Sequence, residues 1–325
     1  MPGAPTPPRS PASDRAPSAR RAARLALVAA AVLLAALLGG CAARGPSIDL
    51  SNLQPLPAPD EGAVLPLRVA VAAVISPRGT VESYQPLLDY LSQRLNRPVE
   101  LVQRRTYAEV NDLVEQGQVD LAFVCTSAYI LGQRDFGMQL LAAPRVQGEV
   151  VYYSLLIVPA ASPAASMADL RGRVFAFTDP MSNTGRVYPT ALVHELGSTP
   201  ETFFARTFFT YSHDDALRAV ADGLADGAAV DSLVYDFAVA REPDLGRRVR
   251  VIHHSPPFGI PPVVVAPGLR PQLRAELQDV LLAMHQDPEG RAALQAIGVD
   301  RFVVIDDEAY DSVRALFAQP AGDPP

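Results

Sequence analysis

The stretch that decides the fold is Leu67-Arg-Val-Ala-Val-Ala-Ala-Val-Ile75, a Val-rich run. Such a run is typical of a strand that is buried on both faces of a sheet. Apolar side chains then recur at helical spacing over residues 84–95, and residues 99–102 predict a second strand. A second helical pattern at 110–114 leads to a third predicted strand at 121–124. This alternation of strand and helix predicts parallel βαβ units.

The same alternation begins again beyond a long apolar stretch at residues 150–158, which Pro159 closes. The further predicted strands are 174–177, 207–210, 228–230 and 249–252, and the further predicted helices are 184–196, 214–224 and 232–240. A second apolar connector at 262–265 precedes a helical C-terminal part. The sequence therefore predicts an α/β protein with two similar lobes and a two-stranded hinge. Ligands of open parallel sheets bind beyond the carboxyl ends of the strands, so we expect the ligand in the cleft between the lobes.

The N-terminal segment predicts an export signal and a lipid anchor. An arginine-bearing start precedes the apolar run 25–38, which is too short to span a bilayer comfortably as a helix. The run ends in Leu38-Gly39-Gly40-Cys41, which resembles the bacterial lipobox, where the cysteine receives the lipid. A plain transmembrane anchor and, from Arg20-Arg21, twin-arginine export are the alternatives. We expect the protein on the extracytoplasmic side, held to a membrane through Cys41.

These patterns together predict how the chain is divided. The expected segments are a signal peptide at 1–40, the lipidated cysteine with a flexible tether at 41–64, a first lobe at 65–151, a hinge strand at 152–158, a second lobe at 159–252, a return hinge at 253–265, C-terminal helices packed on the first lobe at 266–318, and a disordered tail at 319–325. The tether is rich in proline and lacks a periodic apolar pattern, which is why we expect it to be flexible.

The charge of the chain argues against nucleic acid as a ligand and restricts how a small anion can be held. The formal net charge is -7, which argues against nucleic acid, since a phosphate backbone requires clustered basic residues. All 28 basic residues are arginine. An anion bound here is therefore held without an ammonium group. The two cysteines, Cys41 and Cys125, lie in unrelated contexts, so a disulfide framework is not supported.

Polar residues cluster where the predicted strands end. They are residues 76–80, Thr126-Ser127, residues 179–185, His213, and Asp231-Ser232. Each of these is individually an ordinary helix cap. Five such groups at equivalent strand ends indicate more than capping, because exposed backbone N–H groups and hydroxyls at a helix start suit a small oxyanion.

The chain resembles the phosphonate, phosphite and phosphate substrate-binding proteins of ABC importers over residues 67–317. The resemblance rests on Val74-Ile75-Ser76, Tyr84-Gln85-Pro86, Arg105-Thr106-Tyr107, residues 123–129, Tyr152-Tyr153-Ser154, residues 179–185, residues 209–214 and residues 229–232. It implies the type II periplasmic-binding-protein fold, sometimes called a Venus flytrap, and a small phosphorus oxyanion as ligand. It also implies an ABC permease as partner for a monomeric binding protein.

The same resemblance implies which side chains bind the ligand. The turn of Ser182, Asn183 and Thr184 would grip the phosphorus oxygens, and Tyr107, Tyr152 and His213 would add donors. The remaining candidates are Tyr84, Thr126, Ser127 and Asp231.

Two departures from the family pattern narrow the expected ligand. Leu233 and Pro261 stand where binders of aminoalkyl phosphonates carry acids, so an ammonium group there would be buried without a partner. Asp231 is the acid that remains near the turn, and a carboxylate only accepts hydrogen bonds. We therefore expect a singly protonated monoanion, namely phosphite, phosphate or methylphosphonate.

Other classes of function compete with capture for import. A ligand-sensing lipoprotein that signals to a kinase would bind the same ligand. An enzyme is disfavoured, because no GxSxG motif accompanies Ser182, His213 and Asp231. Cys125 ends a buried strand and is expected to be a packed thiol. The pair His253-His254 lacks further ligand spacing, so neither a metal nor a cofactor is expected.

Overall fold

A computed structural model describes residues 65–318 of the chain, and these form three sheets and the helices that cover them. The strands are β1 Leu67–Val71, β2 Val99–Gln103, β3 Leu121–Phe123, β4 Gln139–Arg145, β5 Val151–Tyr152, β6 Ser154–Pro159, β7 Val174–Phe177, β8 Arg206–Phe209, β9 Gly227–Asp231, β10 Val249–His254, β11 Phe258–Gly259, β12 Val263–Val265 and β13 Arg301–Val303. The predicted signal peptide, Cys41, the tether and the C-terminal tail lie outside the described residues.

The described residues form eleven α-helices, of which those at 126–136, 200–203 and 243–248 were not predicted from the sequence. They are α1 Pro77–Leu95, α2 Tyr107–Glu115, α3 Thr126–Phe136, α4 Tyr188–Glu195, α5 Pro200–Phe203, α6 His213–Ala221, α7 Ser232–Arg241, α8 Pro243–Arg248, α9 Pro271–Ala283, α10 Pro288–Ala296 and α11 Asp311–Ala318. No helix among residues 65–318 is long and apolar enough to cross a membrane.

The first lobe is built on a six-stranded sheet in the order β13-β4-β12-β3-β1-β2. Strand β1 pairs in parallel with both β2 and β3, as the βαβ pattern predicts. Strands β12, β4 and β13 extend the sheet in antiparallel pairings. The apolar residues of β1 are buried, which explains why this run dominates the sequence pattern.

The second lobe is built on a five-stranded sheet in the order β10-β6-β9-β7-β8. Strand β7 pairs in parallel with β8 and β9, and β6 runs antiparallel to β9 and β10. The two lobes thus repeat a parallel βαβ centre to which antiparallel strands are added. The predicted α/β fold with two lobes is confirmed.

The chain passes between the lobes at a two-stranded sheet, in which β11 pairs antiparallel with β5. Most of the predicted hinge strand 152–158 forms β6 inside the second sheet, and the predicted return hinge 253–265 includes β12 of the first sheet. The segments that belong to neither large sheet are therefore shorter than the predicted hinges. The exact division of the chain into lobes stays a prediction.

Strand β11 is closely attached to the first lobe. The Thr126 hydroxyl donates to the Gly259 carbonyl at 2.7 Å, and the Tyr310 hydroxyl donates to the Ile260 carbonyl at 3.2 Å. A Cβ at Gly259 would lie 2.5 Å from the Ala309 carbonyl oxygen, so only glycine allows this approach.

The C-terminal part returns to the first lobe. Strand β13 completes the six-stranded sheet beside β4, α9 packs on β4 and β13, and α10 packs on α1. Helix α11 contacts α3 and also the turn at Asn183–Val187 of the second lobe.

Candidate functional site

The turn that follows β7 is the centre of the candidate site. Ser182 precedes a single π-helical turn, Asn183–Val187, which continues into α4. The Ser182 carbonyl accepts from the Val187 N–H at 2.9 Å, and the Ser182 hydroxyl accepts from the Gly185 N–H at 3.0 Å. Such widened turns are rare in proteins as a whole, and many of those that occur lie at functional sites. Ser182, Asn183 and Thr184 are completely buried.

Gly185 allows this turn to pack against the end of β7. A Cβ at Gly185 would lie 1.9 Å from the Thr178 Oγ1 atom and 2.7 Å from its Cγ2 atom. No larger residue fits without displacing the turn. The position of Thr184 therefore depends on a glycine next to it.

His213 supplies a neutral N–H donor beside the turn. Its Nδ1 atom accepts the Asp231 backbone N–H at 2.9 Å, which leaves the ring proton on Nε2. Nε2 lies 3.3 Å from the Ser182 hydroxyl oxygen. Burial lowers the pKa of His213 to about 3, so the ring is uncharged at neutral pH. His213 can therefore donate a hydrogen bond to an anion but carries no positive charge.

Asp231 ends β9 and caps α7. One of its carboxylate oxygens, Oδ1, accepts the Leu233 N–H at 2.7 Å and the Val234 N–H at 3.4 Å. Burial raises the pKa of Asp231 to about 7, because a desolvated carboxylate is disfavoured. At neutral pH this carboxyl group is close to its titration midpoint.

Several buried polar atoms at the site have no hydrogen-bond partner among the described residues. They are the Tyr107 hydroxyl, the Thr184 hydroxyl and the Asn183 Oδ1 atom. Tyr107 is 1% exposed and Thr184 is 0% exposed. A buried hydroxyl without a partner is costly, and native structures contain few of them. Each of these hydroxyls therefore needs an acceptor that the described residues do not supply.

The first lobe meets the second lobe directly at this site. The Tyr107 N–H donates to Asp179 Oδ2 at 3.1 Å, and the Ser76 N–H donates to Asp214 Oδ1 at 2.8 Å. The His213 N–H donates to the Val74 carbonyl at 2.9 Å. Each bond joins a strand end or helix start of one lobe to one of the other. The lobes are thus closed over the buried hydroxyls.

The structure brings together most of the residues that the sequence proposed. Those grouped around the turn are Tyr107, Tyr152, Ser182, Asn183, Thr184, His213 and Asp231, with the Tyr152 hydroxyl accepting from Asn183 Nδ2 at 3.1 Å. Whether these side chains bind a ligand stays a prediction.

The three other candidates have different surroundings. The Thr126 hydroxyl proton is used by the Gly259 carbonyl, and the Ser127 hydroxyl donates to the Met181 carbonyl of the second lobe. These two residues join parts of the protein to each other in this conformation. Tyr84 is only partly buried and lines a cavity next to Asp231.

Sequence reasoning included Asp179 and Asp214 in its polar and family segments but did not predict that they join the lobes. Asp179 lies two residues after β7 and Asp214 is the second residue of α6, so the strand-end position that singled out His213 and Asp231 was also their signal. It also missed Thr178, whose buried hydroxyl has no partner among the described residues.

The basic residue of the turn lies away from the unpartnered hydroxyls. The Arg186 guanidinium packs over the Phe177 ring at 4.3 Å and lies 3.7 Å from Glu201. The donors at the site are thus hydroxyls, an imidazole N–H and amides.

The histidine pair His253-His254 lies in β10, where His253 Nε2 is 2.7 Å from the Tyr188 hydroxyl. Residues 65–318 contain no cluster of metal-ligating side chains.

Two α/β lobes closed over a buried polar turn define a binding protein of the type II periplasmic class. The chain belongs to the family of periplasmic substrate-binding proteins of phosphonate ABC transporters, whose family model matches residues 69–310. The resemblance inferred from the sequence is confirmed. The family is one of transport proteins that bind a substrate.

One similar protein shares part of its sequence with this chain. The phosphate-import protein PhnD of Mycolicibacterium smegmatis is 34% identical over 163 residues, which cover 47% of this chain and 51% of the relative. The match therefore spans about half the length of that protein.

Solved structures at lower identity share the fold. A binding protein component of an ABC phosphonate transporter from Pseudomonas aeruginosa has a TM-score of 0.73 at 22% identity, covering 77% of this chain and 85% of its own. PhnD1 of Prochlorococcus marinus, in complex with methylphosphonate, has a TM-score of 0.70 at 16% identity, covering 78% and 97%.

Proposed function

We propose that this protein captures a small phosphorus oxyanion outside the cytoplasm and delivers it to an ABC importer. The observation that carries the proposal is the pair of buried hydroxyls on Tyr107 and Thr184 that have no partner among residues 65–318. The neutral His213 Nε2–H, at the start of a helix, lies 3.3 Å from the hydroxyl oxygen of Ser182 in the same turn as Thr184. Phosphorus oxygens are the acceptors that such donors suit.

The available donors are sufficient for a useful affinity. Micromolar binding corresponds to about 8 kcal/mol, and a hydrogen bond to a charged group contributes about 1.5–3 kcal/mol. Five to eight such bonds, roughly, meet this value after the cost of ordering the lobes. Neither a metal nor a covalent step is needed.

Asp231 supports a ligand that still carries a proton. An ionised Asp231 beside a fully deprotonated oxyanion would repel it, so one proton must lie between the two, and a P–OH group can donate it to the carboxylate. Because the pKa of Asp231 is raised to about 7, the ionised carboxylate is available at and above neutral pH. We therefore infer that this form binds a singly protonated monoanion, with phosphite, phosphate and methylphosphonate as the candidates.

The cellular setting of the proposal rests on the family and on the sequence. The matching family model describes the periplasmic component of an ABC transporter, which supports a permease as the partner. Lipid attachment at Cys41 and a monomeric state are parts of the same proposal. The mass of the amino-terminal peptide of the mature protein tests the lipid, since an unmodified cysteine would exclude it.

Calorimetric titration of the purified domain with phosphite, phosphate and methylphosphonate tests the proposed ligand class. We expect at least one to bind with micromolar affinity or better, and we expect Asp231→Asn to weaken the discrimination against dianions as the pH rises. Failure of all three ligands to bind would exclude the proposed function. An unchanged pH profile in Asp231→Asn would remove Asp231 from the ligand contacts.

Asp231 and His213 should make opposing contributions to the pH dependence of stability. The pKa of Asp231 is raised to about 7, so its contribution to folding is present at low pH and is lost as the pH rises from about 4 to 7. The pKa of His213 is lowered to about 3, so its contribution is lost as the pH falls from about 6.5 to 3. The two effects oppose each other in the unmodified protein.

In Asp231→Asn the effect of His213 on stability should therefore no longer be opposed by that of Asp231. We expect the free energy of unfolding of the variant, minus that of the unmodified protein, to increase by about 1 kcal/mol per pH unit between about pH 4 and pH 6.5. Urea denaturation at a series of pH values measures this difference. Parallel curves for the two proteins would show that Asp231 is not desolvated as the structure indicates.

A further inference from the structure

Strands β2 and β8 lie at the edges of the two large sheets that are farthest from the crossings between the lobes. The chain leaves the first sheet at β4 and returns to it at β12, and β2 is the third strand from β12. In the second sheet β6 and β10 carry the crossings, and β8 is the third strand from β6. With neighbouring strands about 4.8 Å apart, each edge is about 14 Å from the crossing strands. Even a small rotation at the crossings therefore moves the loops after β2 and β8 the most.

A cation–π contact joins these two edges across the cleft. Arg105 lies in the loop after β2, and its guanidinium carbon is 4.3 Å from the centre of the Tyr211 ring, in the loop after β8. Arg105 is exposed and Tyr211 is half-buried, so the pair lies at the rim of the cleft. The face of an aromatic ring attracts a guanidinium electrostatically. This contact must break when the lobes separate.

Tyr211 has a backbone conformation that tyrosine rarely adopts. Its φ is +63°, in the left-handed region, where a bulky residue is a genuine outlier. The Tyr211 N–H donates to the Thr178 carbonyl at 2.9 Å, which fixes this conformation against the end of β7. Backbone strain of this kind is concentrated at functional positions. The strain indicates that the position of the Tyr211 ring matters to the protein.

The loops that carry the pair also carry groups of the candidate site. Two residues after Arg105, the Tyr107 N–H donates to a carboxylate of the second lobe, and two residues after Tyr211, the His213 N–H donates to the Val74 carbonyl of the first. The Tyr107 hydroxyl and the His213 ring belong to the candidate oxyanion site. A rotation that separates the pair therefore also separates these groups from each other.

We propose that Arg105 and Tyr211 form a clamp that holds the lobes closed, and that the clamp slows release of the ligand without contacting it. Both are positioning residues, since neither is among the candidate ligand contacts. The closure itself is independent of the ligand, whereas the effect on release rests on the proposed function. Loss of the clamp should increase the open fraction about fivefold, which corresponds to about 1 kcal/mol.

Hydrogen exchange of the ligand-free protein tests the clamp. The N–H groups of Ser76, Tyr107 and His213 donate across the cleft, so their exchange with solvent requires opening. Tyr211→Asn removes the ring, and asparagine tolerates the left-handed conformation. These three N–H groups should exchange about fivefold faster in this variant, while those inside β1 are unchanged. Tyr211→Phe keeps the ring and should behave as the unmodified protein does.

A second pair of variants, matched in charge, separates the clamp from a general effect of losing an arginine. Arg105→Gln removes the guanidinium of the clamp. Arg171→Gln removes one that lies 4.5 Å from the centre of the Phe203 ring within the second lobe. The three N–H groups that donate across the cleft should exchange faster in Arg105→Gln and not in Arg171→Gln. Equal exchange in these two variants, or in Tyr211→Asn and Tyr211→Phe, would overturn the inference.

Stopped-flow measurement with phosphite and with methylphosphonate tests the effect on release. The dissociation rate constant should be about fivefold higher in Tyr211→Asn than in Tyr211→Phe, and the association rate constants should agree within about twofold, since neither substitution changes the charge. Slower association with unchanged dissociation would place Tyr211 in ligand entry and overturn the role in release. If neither compound binds, the proposed function fails, and hydrogen exchange alone decides whether the clamp exists.

Discussion

Replacing Tyr107 by Phe and Thr184 by Val in one protein should lower its affinity for the best-bound small oxyanion on the order of a thousandfold. Each substitution removes a hydroxyl that has no partner among residues 65–318 and that we assign to the ligand. A hydrogen bond to a charged acceptor contributes about 1.5–3 kcal/mol, so two of them account for a loss of this size. Calorimetry on the double variant, and on each single variant, measures it.

The stability of the same variants distinguishes a binding role from a structural one. Since neither hydroxyl bonds to a described residue, their removal should leave the free energy of unfolding unchanged or raise it slightly. Thr190→Val is the matched control, because Thr190 also has a buried hydroxyl without a partner but lies on α4, beyond the turn. An affinity within threefold of the unmodified protein in the double variant would place the phosphorus oxygens elsewhere.

Gly185→Ala should impair both folding and binding. The new Cβ would lie 1.9 Å from the Thr178 Oγ1 atom, so the turn must move away from β7. Overpacking of this kind typically costs about 1–3 kcal/mol. Thr184 is the preceding residue, so we also expect a loss of affinity of about a hundredfold or more. Urea denaturation and calorimetry measure the two effects.

A second substitution shows whether the collision is the cause. Thr178→Ala removes the Oγ1 and Cγ2 atoms and should restore part of the stability of Gly185→Ala, although the Thr178 Cβ would still be 2.8 Å from the new methyl group. Gly268→Ala is the control, because a Cβ there meets nothing within 4 Å. Full stability of Gly185→Ala would contradict the packing described for this turn.

The parts of the fold that the sequence predicted are those in which local pattern and burial agree. Strand β1 is a Val-rich run that is buried almost throughout, and α1 presents its apolar side chains at helical spacing. The candidate site could be predicted from the sequence for a related reason. Parallel strands bring their carboxyl ends to one edge, so polar residues after β7 and β9 had to lie close together.

The parts that could not be predicted depend on partners far away in the chain. Strand β4 contains Pro144 and has no clear alternation, and it becomes a strand because β12 and β13 pair with it. The widened turn after Ser182 has no local signature in the sequence. The bonds of Asp179 to Tyr107 and of Asp214 to Ser76 join residues 72 and 138 positions apart. Such contacts exist only once both lobes are folded.

The attachment of β11 to the first lobe determines how the two lobes can move. The Gly259 and Ile260 carbonyls are held by Thr126 and Tyr310, so this strand must travel with the first lobe. Ser255 is held from the other side, because its N–H donates to the Ser154 carbonyl of β6 at 3.0 Å. The two residues between Ser255 and β11 are Pro256 and Pro257, whose φ angles are fixed, so this connection between the lobes is stiff and leaves them little freedom to rotate about it.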